Sequence, residues 1–203
     1  DGNYLMWRLY PRNLVFIDAR VDVYGDETMR IFDDVWNAYP PGLRVRDYAG
    51  WRFTEGWQRV LDRFDVRACV VRYLLDPDET VLRQRVRIVE NDGREAQASG
   101  ARWFREGVQP LVDALWQSPQ WGLVFWDDSR MIFLRASDCA GRRVFRVRPD
   151  TFSPADLSDP AALRAAVEDL EYRVGLGERF DCVTARACLA NALQSAGRFA
   201  EAL

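Results

Sequence analysis

The stretch WGLVFWDDSRMIFLRAS, residues 121–137, constrains the fold of this chain most strongly. Two apolar runs flank DDSR, a turn-forming tetrapeptide, and the pattern reads as a β-hairpin. A hairpin of this kind suits the antiparallel edge of a sheet. Other apolar runs supply further strands. Leu14–Ile17 is short and β-branched, and Ala68–Tyr73 follows the same rule. Between the strands the periodicity changes to 3.6. Met29, Phe32, Val35, Trp36 and Tyr39 share one helical face, with Asp26 expected as N-cap, Glu27 in the first turn and PPG at 40–42 as the stop. Trp57, Val60, Leu61 and Phe64 mark a second helix, with Thr54 as its expected cap. Phe104, Val108, Leu111, Val112 and Leu115 mark a third. Residues 81–101 are charged and weakly patterned, with part of them read as an edge strand and NDG at 91–93 as a turn. Crossovers that contain helices favour parallel pairing. The expected fold class is therefore α/β: a small mixed, mainly parallel sheet covered by helices in three layers, over residues 1–147.

The grammar changes after RPDTFSPADLSDP, and residues 148–160 read as a linker. Asp159 is placed to cap a helix that has Pro160 at its first position. Leu163, Val167, Leu170 and Val174 follow at i, i+4, i+7 and i+11. GLGERFD breaks that helix, a second runs over about 181–196, and a third is expected from Arg198. Leu189, Ala190, Asn191 and Leu193, then the turn and helix start GRFAEAL, resemble a tetratricopeptide repeat. Small residues in such a repeat let its helices approach closely, and Gly197 permits the tight turn. Residues 161–203 are accordingly expected to be an all-α, tetratricopeptide-like segment, the start of an array.

Composition limits the chemistry. The chain of 203 residues is 48% hydrophobic and 13% aromatic, with eight Trp, ample for a packed core. Its 28 basic residues are all Arg, and it contains no His. A catalytic Lys, a Schiff base, a His general base and a His-ligated metal are thereby excluded. Carboxylate, Cys, Tyr and Arg remain. Net charge is −3 and the Arg residues are scattered, so no nucleic-acid partner is expected. Cys69, Cys139, Cys182 and Cys188 show no metal-binding spacing and are expected to be core or surface thiols. No metal or cofactor is expected, and no run approaches the ~20 apolar residues of a membrane span.

One segment does carry the vocabulary of a site. The strand Leu14–Ile17 leads into Asp18, Arg20 and Asp22, then Tyr24. Alternation sends the three charged side chains to one side of an extended segment. They follow a strand at its carboxyl end, where open α/β sheets place ligands. Asp18, Arg20, Asp22 and Tyr24 are the candidate binding residues, for a sugar, a cation or an anionic lipid head. The alternative is structural: Arg20 bridges two carboxylates and pins the loop. The acids of WDD at 126–128 read as turn residues, and Trp51, Trp57, Trp103, Trp116, Trp121 and Trp126 as core in preference to sugar platforms.

Two motifs together resemble a known arrangement. DGNYLMWRLYP followed by VFIDARVDVYGDE is similar to the opening of the soluble domain of large bacterial membrane proteins of the GT-C glycosyltransferase-like class. Asp1, Gly2, Tyr4, Leu5, Trp7, Phe16, Ile17, Asp18, Arg20, Asp22, Tyr24 and Gly25 carry the match, with Ala19 and Asn3 where Gly is usual. WGLVFWDDSRMIFLR resembles the pattern that closes such domains, and tetratricopeptide-like helices often follow. The resemblance implies a piece of a longer, membrane-attached protein. This part would be a soluble, extracytoplasmic accessory domain, non-catalytic alone, that positions an acceptor or protein partner. Its expected partners are the membrane-embedded part of the same polypeptide, a protein or peptide on the helical repeats, and a glycan or lipid-linked sugar. Two other readings are an interaction module working through its repeats and a carboxylate-based hydrolase using Asp18 and Asp22.

Overall fold

The computed structural model describes residues 25–47, 49–72, 88–89, 95–96, 110–128, 130–149, 152, 159–177 and 182–198. It is a mixed α/β chain, in two compact units: Asp1–Val66 with Val81–Ala114, and Arg67–Thr80 with Leu115–Leu203. The expected strand Leu14–Ile17 lies outside the described residues.

In the first unit α1 spans Gly25–Trp36. Asp26 is not the N-cap: the helix already includes Gly25, so Asp26 and Glu27 both sit inside its first turn, where their charge still complements the positive helix end. Phe32 and Trp36 stack with centroids 5.4 Å apart, and Val35 and Asp34 are buried. The helix ends before the proline pair. Ala38 takes φ 50°, and the amides of Ala38 and Tyr39 bond back to Val35 and Asp34.

Next come β1, Arg44–Asp47, and β2, Gly50–Phe53, a hairpin that the sequence reading did not anticipate. Asp47 Oδ1 accepts from the Ala49 amide at 2.8 Å and holds the turn. Thr54 does not cap the following helix. Its hydroxyl donates to Pro40 O at 2.5 Å and accepts from the Leu43 amide at 3.0 Å, locking the hairpin base. Helix α2, Trp57–Arg63, instead starts behind Gly56, with no side-chain cap. Gly56 has φ 96°, and a Cβ there would lie 2.8 Å from Pro41 N, so only glycine fits. Val60 and Leu61 are buried as the periodicity requires, whereas Phe64 is exposed. Within 81–101, β4 (Ile88–Val89) pairs with β1, and β5 (Glu95–Ala96) pairs with β4.

The second unit holds β3, Ala68–Arg72, β6, Trp121–Trp126, and β7, Arg130–Arg135. Helix α3, Pro110–Gln117, precedes β6, and its Leu111, Val112 and Leu115 are buried. The hairpin is present where expected. Its turn closes through Asp127, whose amide donates to Arg130 O and whose Oδ1 accepts from the Arg130 amide.

The pairing differs from expectation. The described strands form two small antiparallel sheets, ordered β2-β1-β4-β5 and β3-β7-β6, with no parallel pair among them. The reason is local. β3 and β6 do run in the same direction, but the return strand of the hairpin inserts between them, aligning Ala68 with Leu134 and Arg72 with Arg130. Each neighbour is then antiparallel.

The helices α4, Pro160–Val174, and α5, Val183–Ser195, pack on each other and belong to the same compact unit as the hairpin. The sequence-based division at 148–160 does not coincide with the boundary between the units. Asp159 accepts from the Ala161 amide at 3.0 Å, with Pro160 next, as read from the sequence. The end of α5 is a Schellman turn: Gly197 at φ 76° donates to Gln194 O, and Arg198 to Leu193 O. The helix expected after Gly197 lies outside the described residues.

Candidate functional site

Asp18, Arg20, Asp22 and Tyr24 lie outside the described residues. The chemistry expected of them, a guanidinium between carboxylates, is built elsewhere. On the inner side of the β1–β2 hairpin, Arg52 reaches three acids. Nη1 is 2.5 Å from Asp34 Oδ1, Nη2 is 2.9 Å from Asp33 Oδ2, and Nε is 3.0 Å from Asp47 Oδ2. Arg30 adds a 3.1 Å contact to Asp47 Oδ2, and the Glu55 amide donates to Asp34 Oδ2 at 2.6 Å. One element supplies each layer: Asp33, Asp34 and Arg30 come from α1, Asp47 from β1 and Arg52 from β2.

Charge is unevenly shared in this cluster. Burial, then the Asp34 and Asp47 charges, push the Asp33 carboxyl above its ordinary range against the pull of Arg52. Burial acts on Asp47 as well, but the Ala49 amide, Arg30 and Arg52 outweigh it and hold that carboxyl low. Burial next to Asp33 raises the Tyr39 hydroxyl far above its usual value. The cluster joins helix to hairpin, and its acids are committed to N–H donors.

Within the second unit, a separate set of polar residues joins the β6–β7 hairpin and the segment after it to α4 and α5. Asp169 on α4 is fully buried. Its Oδ2 accepts from the Arg146 amide at 2.6 Å, and its Oδ1 from Arg143 Nη2 at 2.5 Å and Arg146 Nη2 at 3.2 Å. One helical turn later Arg173, also buried, donates from Nε to Trp126 O at 2.5 Å. Its guanidinium carbon stands 4.9 Å and 5.5 Å from the Phe125 and Trp126 ring centroids. Phe145 fills the space between Trp126 and Tyr172.

The third contact is at the hairpin tip. Asp128 accepts from the amides of Val183 at 3.2 Å and Thr184 at 2.8 Å, and its Oδ1 lies 3.1 Å from Cys182 Sγ. These are orphan donors of the first turn of α5, whose own N-cap residue, Cys182, makes no side-chain cap. Burial raises the Asp128 carboxyl, but the donors prevail and hold it at about 2. Burial and this carboxylate push the Cys182 thiol up to about 11.

The remaining thiols are shifted in the same direction. Burial raises Cys69 to about 12 and also raises Cys139 and Cys188, and none of the four is in a disulfide. Among the described residues no group of three His, Cys, Asp or Glu is arranged for a metal. No described helix is long and apolar enough to cross a membrane. Of the Trp residues, Trp121 and Trp126 are buried and Trp51 is exposed.

The sequence carried a signal for both clusters, in the wrong-polarity residues on apolar faces. Asp34 precedes Val35 on the buried face of α1, and Asp169 and Arg173 share a helix face with Ala166 and Leu170. A charged residue at such a position needs a partner of opposite charge or an amide. Which residue supplies it depends on the fold. Compared with known protein families, with curated proteins and with solved structures, the chain matches none.

Proposed function

We propose that this chain is a non-catalytic positioning domain, the soluble extracytoplasmic part of a membrane glycosyltransferase-like protein. In this reading its small antiparallel sheets are a platform, and its tetratricopeptide-like helices hold an acceptor or protein partner. The observation that carries it is the seat of the helices. The hairpin WGLVFWDDSR, where the resemblance to such domains is concentrated in the second unit, grips α4 through Trp126 O and α5 through Asp128. A ligand on these helices is thus held in a fixed orientation to the hairpin.

The test uses the intact protein in its native membrane and a radiolabelled lipid-linked sugar. Asp128→Ala is expected to abolish transfer to acceptor while donor binding stays unchanged. The isolated chain is expected to transfer nothing. Transfer or hydrolysis by the isolated chain, or undiminished transfer by the variant, overturns the proposal.

The second reading, a free-standing interaction module, is favoured by the inner face of α5. Ala185, Cys188 and Ala192 are small and buried, the spacing that lets repeat helices approach. Under that reading the intact protein needs no membrane, so its fractionation after cell lysis separates the two.

A further inference from the structure

We infer that the outer edge and outer face of the β1–β2 hairpin form a docking surface for an extended acidic segment of a partner protein, added as a strand beside β2. The inference rests on the first unit alone and is independent of the reading above.

The backbone comes first. Among the described strands β2 ends its sheet, because the order is β2-β1-β4-β5. Asp47 faces Gly50 across the two-residue loop, and Thr54 donates to Leu43 O at the other end of the hairpin. Hydrogen-bonded positions alternate along an antiparallel pair. Gly50, Arg52 and Thr54 therefore turn their amides toward β1, and Trp51 and Phe53 turn theirs outward. Two N–H and two C=O groups, two residues apart, are the template an added strand uses.

The side chains give the chemistry. The pairs Arg44–Phe53 and Arg46–Trp51 lie in register and on one face, opposite the face that carries Val45, Asp47 and Arg52. They are non-hydrogen-bonded pairs, in which cross-strand side chains come closest. The guanidinium carbons of Arg44 and Arg46 stand 5.0 Å and 5.9 Å from the Trp51 ring centroid. Phe53 is 70% exposed and Trp51 38%. On the inner face every acid is held by Arg30, Arg52 or an amide, so no carboxylate from that cluster offsets the outer pair. Trp, Phe and Arg are the residues that anchor protein interfaces. The chain as a whole carries −3, so this face stands out in sign, and it selects an acidic strand. Acid residues at alternate positions of that strand would meet Arg44 and Arg46, with apolar residues over the aromatic rings.

The experiment uses the full chain and a dye-labelled heptapeptide of alternating Val and Glu, with its Val and Lys counterpart as control. Anisotropy is expected to show binding of the acidic peptide alone, weakening as salt is added. The preference falls by about 5-fold for each guanidinium removed, the size of one exposed ion pair near 1 kcal/mol. Arg44→Glu with Arg46→Glu is expected to reverse it in favour of the Lys peptide. Amide exchange at Trp51 and Phe53 slows on binding. Failure of the acidic peptide to bind, equal binding of both peptides, or protection that leaves Trp51 and Phe53 unchanged overturns the inference. So does protection of these amides that grows with protein concentration in the absence of peptide, since a second copy then occupies the edge.

Discussion

Asp128 shows how much one carboxylate can do outside a catalytic role. It belongs to a hairpin turn, yet it satisfies the first amides of a helix that starts more than fifty residues later. Its folded pKa of about 2 is below the ordinary carboxylate value of about 3.9. A depressed pKa means that the folded state favours the ionised form. The stabilisation is therefore complete above about pH 5 and is lost as the pH falls toward 2. Asp128→Asn keeps a carbonyl acceptor for the helix but cannot titrate. Urea midpoints measured from pH 6 to pH 2 should show a flatter acid limb for this variant than for the parent. An unchanged limb would show that Asp128 does not couple to unfolding. From the sequence, the two acids of WDD read as turn residues, and Asp127 and Asp128 do follow the end of β6 at the hairpin tip. The cap was not legible, because the partner amides come from a distant part of the chain and sequence spacing carries no record of them.

At the scale of elements, apolar periodicity located what it could and missed what it could not. The hairpin at Trp121–Arg135, the helix starting at Pro160 and the stop at Gly197 all follow from patterns visible in the chain. The β1–β2 hairpin escaped because its outward positions hold Arg and Trp, its inward ones Val45, Asp47 and Arg52, so no apolar run announces a strand. Thr54 has the right residue type for a cap and sits three residues before α2, but Pro40 and Leu43 take its hydroxyl. Helix ends give a sharper prediction. Gly197 is left-handed with open space around its Cα. Gly197→Ala adds a methyl group that meets nothing but must adopt that conformation, at a cost of about 1 kcal/mol. Thermal melts should place the variant a few degrees below the parent, with its folded secondary structure unchanged.

Across the whole molecule the main departure is in how elements are joined. From the sequence, residues 148–160 look like a linker between an α/β domain and an independent helical segment. The second compact unit instead contains hairpin and helices together, tied at Asp169, Arg173 and Asp128. Elements coupled in this way open together. Native-state hydrogen exchange should therefore give buried amides of β6, β7 and α4, such as Leu123, Phe133 and Leu170, one common opening free energy. Asp169→Ala removes a buried acceptor of charged donors, worth about 3 kcal/mol, and should lower all three equally. Helix amides that exchange at a lower free energy than the hairpin, or that alone respond to the variant, would restore the independent segment.

The sequence by itself determined the mixed α/β class, where the strong elements lie, and which chemistries a chain without His or Lys can offer. These depend on side-chain type and on short periodicities, which act between near neighbours. Only the tertiary structure decided that β7 enters between β3 and β6, that Arg52 gathers three acids, and that a turn aspartate caps a distant helix. Each of those outcomes brings together groups far apart in the chain, and a charged side chain under a buried face accepts whichever opposite partner the packing delivers.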